Sequence, residues 1–153
     1  MKYIKTYEKL LKKTDTLVLN HPLNKLIEKF IDLLTILAEI DNLPNWKIIK
    51  YYTENTISII YKVKNNYQNL KLFSVKIITS NEFFYITEIN YYGWSFVNKL
   101  DDRTFVKNEL WKINKGKYGV REFNFNDIDY LIKNIDNIIK ELEIKKSANK
   151  YNI

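Results

Sequence analysis

Few side chains in this sequence could take part in catalysis, and they lie far apart along the chain. His21 is the only histidine and stands in the run Asn20-His21-Pro22, directly before a predicted helix. A histidine that acts as a general base needs a partner group beside it, whereas this position favours a capping or solvent-exposed turn residue. With one histidine and no cysteine, the chain also lacks the ligands of a structural zinc site. We therefore predict no metal site and no cofactor.

Carboxylates are the other candidates, because magnesium can be held by oxygen ligands alone. No aspartate occurs between Asp41 and Asp101, and the block of predicted strands and turns in this interval carries only Glu54, Glu82 and Glu88. Restriction-type nucleases need an acid followed by an acid-x-Lys motif on neighbouring strands, and this pattern is absent from the predicted meander. The sequence also has no glycine-rich phosphate-binding loop and no Gly-x-Ser-x-Gly motif. We predict a protein without enzymatic activity. A metal-dependent hydrolase that uses carboxylates alone remains the alternative, with Glu82, Glu88, Asp101 and Asp102 as its candidate residues.

The densest charge cluster in a predicted connection is Asp101-Asp102-Arg103. It could form a catalytic loop, but a hairpin turn with an exposed salt bridge explains it more simply. We predict the hairpin turn.

An aromatic segment covers residues 91–99, Tyr-Tyr-Gly-Trp-Ser-Phe-Val-Asn-Lys. Residues 93–97 have the pattern glycine, aromatic, small, Phe, Val. This pattern resembles in part a strand motif of RNA-recognition domains, in which alternate aromatic side chains stack on bases. Tyr92 stands where a basic residue belongs, and Lys99 where an aromatic one does. That fold also needs a helix after its first strand, where this chain predicts a meander. We interpret the segment as the end of a strand, and no family resemblance follows from it.

Composition weakens the meaning of the net charge of +7. The chain has 22 isoleucines, 23 lysines, 19 asparagines and 12 tyrosines among 153 residues, all encoded by AT-rich codons. Lysine outnumbers arginine 23 to 2, although arginine suits bidentate recognition of phosphate or carboxylate better. An AT-rich genome therefore explains much of the positive charge.

Hydrophobic spacing predicts three helices. Apolar residues recur at helical spacing over residues 2–14, 22–41 and 126–146. Pro22 suits the first position of the second helix. Asn126 is the predicted cap of the last helix, with Phe125 and Tyr130 placed for a hydrophobic staple. The tail 147–153 is predicted to fray, which leaves a single domain over 1–146. No segment has the ~20 apolar residues that span a bilayer.

Between the helices, the apolar period changes to two, which is typical of strands. Strands are predicted at Trp46–Thr53, Thr56–Lys64, Leu70–Thr79 and Glu82–Tyr92, with short connections that favour an antiparallel meander. One or two further strands are expected near 104–107 and 110–113, with turns at Gly116 and Gly119. The predicted fold class is α+β, with five or six antiparallel strands and all the helices on one face of the sheet.

The charge excess lies in this strand region, where residues 46–125 carry thirteen Lys and Arg against seven acids. If the helices cover one face, the other would present lysines and aromatics to a partner. Lysines can contact phosphates while aromatics stack on bases or anchor a protein interface. The predicted binding residues on this face are Lys47, Tyr51, Lys62, Lys64, Lys71, Lys76, Tyr91, Tyr92 and Trp94.

From these patterns we predict a cytoplasmic binding protein that acts stoichiometrically on a macromolecule. Its partner would be an acidic protein surface or a nucleoprotein complex, without membrane contact, and the protein could form a homodimer. The absence of catalytic machinery and the AT-rich coding suggest an inhibitor or immunity-type protein of a phage or mobile element. The link to a phage or mobile element rests on analogy with such proteins and not on a physical argument. The alternative is a DNA- or RNA-binding accessory protein that uses the same face of the sheet.

Overall fold

A computed structural model describes residues 21–66, 68–93, 101–116 and 119–151. The described chain begins with helix α1, Pro22–Asp41, followed by strands β1, Trp46–Tyr52, β2, Thr56–Asn65, β3, Gln68–Thr79, and β4, Phe83–Tyr91. Helix α2, Asp101–Asn114, leads to the two-residue strands β5, Lys115–Gly116, and β6, Gly119–Val120. Strand β7, Glu122–Asn124, a 3₁₀ turn at Phe125–Asp127 and helix α3, Ile128–Tyr151, complete the chain.

The main sheet has five antiparallel strands in the order β1-β2-β3-β4-β7, and β5 and β6 form a separate hairpin. The α+β class and the four-strand meander are thus confirmed. Successive side chains of each strand point to opposite sides, so the sheet has two faces. The row Lys50, Ile59, Val75 and Ile89 belongs to the face that packs against the helices. Helices α1, α2 and α3 contribute their apolar stripes to the same core.

Helix α1 confirms its prediction at both ends. Pro22 opens the helix, and the side chain of His21 accepts a hydrogen bond from the backbone N–H of Leu23 at 3.1 Å. His21 is therefore the cap residue that its position favours. Among the described residues, α1 is the one helix that precedes the sheet, and the predicted helix over 2–14 lies outside them.

The prediction of strands near 104–107 and 110–113 is wrong, because residues 101–114 form helix α2. Its buried stripe consists of Arg103, Val106, Leu110 and Asn114, at spacings of three and four residues. Two of these four positions carry polar side chains, so a search for apolar periodicity misses the helix. The predicted hairpin turn at Asp101-Asp102-Arg103 is likewise wrong, since these residues form the first turn of α2.

The last helix starts and ends differently from its prediction. Helix α3 begins at Ile128, and Asn124, not Asn126, caps the 3₁₀ turn that leads into it, in a capping box whose other member is Asp127. Phe125 stacks near Phe84 at 6.1 Å between ring centroids. Helix α3 continues to Tyr151, five residues beyond the predicted end at 146. None of the described helices combines the length and the apolar character needed to cross a membrane.

Candidate binding surface

The second face of the sheet, opposite the helices, carries a row of lysines. Lys47 on β1 lies directly opposite Lys62 on β2, and Lys62 lies directly opposite Lys71 on β3. Lys64 points to the same face two residues along β2, opposite Asn69. We call these four residues, Lys47, Lys62, Lys64 and Lys71, the lysine cluster. It occupies the end of the sheet at the β2–β3 turn.

A β-bulge in β3 makes this row possible. Tyr61 pairs with Phe73, but the next residue of β2, Lys62, pairs with Lys71, so Leu72 is the extra residue. In a regular ladder Lys62 would oppose Leu72, and Lys71 would point into the core beside Val63. The bulge instead places Lys71 beside Lys62 and lets both Leu72 and Phe73 remain fully buried.

The row is electrostatically unfavourable within the fold. Like charges directly opposite each other on neighbouring strands destabilise a sheet. Burial lowers the pKa of the Lys62 ammonium, and the charge of Lys71 lowers it further. No described carboxylate forms an ion pair with Lys47, Lys62 or Lys64. This end of the face is therefore a concentrated positive charge that can hold an anion.

Beyond the cluster, the second face carries buried apolar residues and a lysine that is paired with an acid. The neighbouring row has Ile49 and Ile60, which are only 1% and 8% exposed. In the row after that, the ammonium of Lys76 lies 3.7 Å from the carboxylate of Glu88. Further along, the hydroxyl of Tyr85 donates to Glu122 at 2.7 Å. Lysines that face one another across neighbouring strands are thus grouped at one end of the second face.

The structure brings together most, but not all, of the predicted binding residues. The residues on the second face are Lys47, Tyr51, Lys62, Lys64, Lys71 and Lys76. The prediction that Tyr91 lies on this face is wrong. The bulge at Thr87 in β4 turns Tyr91 to the helix face, where it packs against the core. Tyr92 follows β4 and donates its backbone N–H to the carbonyl of Leu72 at 3.0 Å. Trp94 lies outside the described residues.

A buried polar cluster on the helix face escaped the sequence analysis. Arg103 of α2 has a fully buried side chain and forms an ion pair with Asp41, the last residue of α1. The hydroxyl of Tyr61 on β2 donates to the same carboxylate at 2.8 Å. This Asp41–Tyr61–Arg103 cluster joins α1, strand β2 and α2 at a single carboxylate.

Burial determines the protonation behaviour of this cluster. Desolvation raises the pKa of Asp41, while the nearby Arg103 charge and the hydrogen bonds from Tyr61 and Arg103 oppose the rise. Desolvation, and then the Asp41 charge, raise the pKa of the Tyr61 phenol far above its usual value. A phenol held so firmly neutral is a hydrogen-bond donor and a poor nucleophile. One sequence signal could have revealed the cluster: Arg103 is one of two arginines in a chain with 23 lysines.

The carboxylates that the sequence left as catalytic candidates do not converge. Glu82 is exposed in the β3–β4 turn, Glu88 lies on the second face beside Lys76, and Asp102 pairs with Lys145 at 3.6 Å on the helical side. Asp101 is exposed at the start of α2. Across the described part of the chain, no three acidic or histidine side chains are close enough together to hold a metal ion.

The clefts beside α3 differ from the lysine cluster in their charges. A cleft of about 400 Å³ between α1 and α3 is lined by both acids and lysines. Its Lys29 forms an ion pair with Asp136 at 2.7 Å. Charges in this cleft are therefore already compensated within the fold.

Comparison with known protein families, with curated proteins and with solved structures found no match to this chain.

Proposed function

We propose that this is a non-enzymatic binding protein that uses the lysine cluster to hold an acidic macromolecular partner in a stoichiometric complex. The observation that carries the proposal is the cross-strand row Lys47, Lys62 and Lys71. A sheet that needed only to fold would gain stability from a neutral or acidic residue at the middle position of this row. A bound anion converts the repulsion into attraction.

The separation of the candidate carboxylates supports the non-enzymatic part of the proposal. Acid–base and metal-assisted catalysis both require groups within hydrogen-bond or ligand distance of one reacting centre. Glu88 and Asp102 lie on opposite sides of the sheet, and each is paired with a lysine.

The test is a titration with a labelled acidic polypeptide, poly-glutamate, followed by fluorescence anisotropy. The variant K62E/K71E reverses two charges of the cluster. The matched control K25E/K133E reverses two exposed lysines of α1 and α3, so both variants lower the net charge equally. We expect saturable binding by the wild type, at least a tenfold loss for K62E/K71E, and a change within about twofold for the control, since screening weakens distant charges.

Equal losses in the two double variants would show that binding follows net charge and not this face, and would overturn the proposal. Mass spectrometry of the recovered poly-glutamate tests the second part of the proposal, that the protein is not an enzyme. Cleavage or modification that depends on Glu82, Glu88, Asp101 or Asp102 would replace a binding protein by an enzyme.

A further inference from the structure

Three side chains on the second face are buried, although the described helices pack against the other face. Ile49 on β1 lies opposite Ile60 on β2, Ile60 lies opposite Ser74 on β3, and Ser74 lies opposite Asn90 on β4. The exposed fractions of Ile49, Ile60 and Ser74 are 1%, 8% and 8%. Neither isoleucine belongs to the core between the sheet and the described helices. We call Ile49, Ile60 and Ser74 the buried row.

The burial of this row requires a cover. When an antiparallel sheet packs on one face, its other face is commonly solvated. Ile49 also lies on β1, which has a partner strand on one side only among the described strands. Strand side chains stand roughly perpendicular to the sheet, so the neighbours of Ile49 cannot close over it. Its low exposure therefore calls for a further part of the chain above the row.

The exposure of the neighbouring rows indicates the width and direction of the cover. Lys62 and Ser58, two residues to either side of Ile60 on β2, are only half-buried. Rows on one face of a sheet are about 7 Å apart. An element about 10 Å wide, the diameter of a helix with its side chains, would bury one row and partly cover the next ones. The cover therefore runs across the strands.

Residues 2–14 have the length and the pattern of such a cover. Their apolar residues recur at helical spacing, with lysines on the other side; these apolar residues, which we call the N-terminal stripe, are Tyr3, Ile4, Tyr7, Leu10 and Leu11. In helical form the segment would be about 20 Å long, and the sheet from β1 to β4 is about 14 Å wide. The stripe needs an apolar surface to pack against, and the isoleucines of the buried row provide one.

The chain between the stripe and α1 is long enough to reach the row. The ring of His21 lies 5.1 Å from that of Phe125, which directly follows the edge strand β7. Phe84, which pairs with β7, is six residues from Asn90, about 20 Å along β4. Layers on the two faces of the sheet are separated by roughly 20 Å, so the direct path is about 28 Å. The chain from Leu11 to His21 can span about 33 Å.

We propose that residues 2–14 pack the N-terminal stripe against the buried row and so close the second face of the sheet. The sheet would then lie between two layers, the described helices on one face and this segment on the other. The inference goes beyond the proposed function and does not depend on it, because the buried row and the lysine cluster share no residue.

The first test measures access to the buried row. The chain has no cysteine, so S74C introduces a single thiol, whose rate of alkylation by iodoacetamide reports its exposure. I4S/L11S removes two residues of the stripe, and the matched control K5S/K12S changes two lysines at the same spacing on the other side of the segment. In the S74C protein we expect I4S/L11S to accelerate alkylation at least about tenfold and K5S/K12S to change it within about twofold. Circular dichroism checks that each variant is folded.

The second test measures the contact directly and leaves most of the stripe intact, so it also decides the question if I4S/L11S does not fold. S74C is combined with a cysteine at each position of the stripe in turn, and separately with K5C or K12C. A disulfide requires Cα atoms about 4.4–6.8 Å apart. We expect mild oxidation to give an intramolecular disulfide with at least one stripe position and with neither lysine position, as read by mass spectrometry of the monomer.

Several results would overturn the inference. Rapid alkylation of S74C itself would mean that the row is open, and unchanged alkylation in a folded I4S/L11S variant would mean that the stripe does not cover it. Disulfides that form as readily with K5C and K12C would show no preferred contact. Disulfides between molecules, with S74C eluting as a dimer, would identify a second copy as the cover. Alkylation accelerated by F96S but not by I4S/L11S would identify residues 94–100 instead.

Discussion

Lys50 and Lys62 lie on adjacent strands of one sheet but on opposite faces, and their surroundings differ sharply. The side chain of Lys50 points towards the helices, is only 8% exposed and donates to Glu28 of α1 at 3.1 Å. Lys62 points to the second face, between Lys47 and Lys71. On the helix face, buried charge is matched by opposite charge, as folding requires. On the second face, like charges are placed together, a feature that costs stability and that the proposed binding would explain.

The largest effect should come from breaking the Asp41–Tyr61–Arg103 cluster. R103M leaves the Asp41 carboxylate buried without its cation, which should reduce the free energy of unfolding by about 3–5 kcal/mol in urea denaturation. The double variant D41N/R103M removes the stranded charge and should recover part of this loss. If the double variant were as unstable as R103M or less stable, the ion pair would not be what R103M disrupts.

A smaller effect should appear at alkaline pH. The folded state raises the pKa of Tyr61, whereas the unfolded chain ionises this phenol at the usual pH of about 10. The unfolded state therefore loses its proton first, so stability falls as pH rises above about 10, by roughly 1.4 kcal/mol per pH unit for this group. Urea midpoints measured from neutral pH to about pH 11 should decline less steeply in Y61F. Parallel curves for the two proteins would show that Tyr61 is not protected from ionisation.

The smallest effect concerns the second face and has the opposite sign. K62T removes the middle charge of the lysine row and should increase the free energy of unfolding by about 0.2–1 kcal/mol at low salt. The gain should shrink as salt screens the repulsion. K64T is the matched control, because Lys64 faces Asn69 and not another lysine. A K62T variant that is less stable than K64T would mean that the row is not repulsive. Taken with the titrations above, K62T should be more stable and bind anions more weakly.

Local patterns in the sequence were sufficient for α1 and the meander. Pro22 and the turn sequences between the strands are short-range signals, and regular alternation needs no knowledge of distant residues. Lys47, Tyr51, Lys62 and Lys64 lie on one face because β1 and β2 alternate regularly. Helix α2 could not be predicted in this way, because Arg103 and Asn114 belong in its buried stripe only through distant partners. Arg103 pairs with Asp41, and the amide of Asn114 donates to the carbonyl of Ile86 at 2.8 Å.

The sequence by itself determined the α+β class, the order of the meander and the excess of lysine in the strand region. Only the tertiary structure decided which side chains share a face. Lys71 and Lys76 are five residues apart, so a regular strand would point them to opposite faces, and the bulge at Leu72 brings them to the same one. The bulge at Thr87 likewise brings Glu88 opposite Lys76 and turns Tyr91 to the core. A bulge is stabilised by the packing of residues such as Leu72 and Phe73 against distant parts of the chain, which no local pattern in the sequence records.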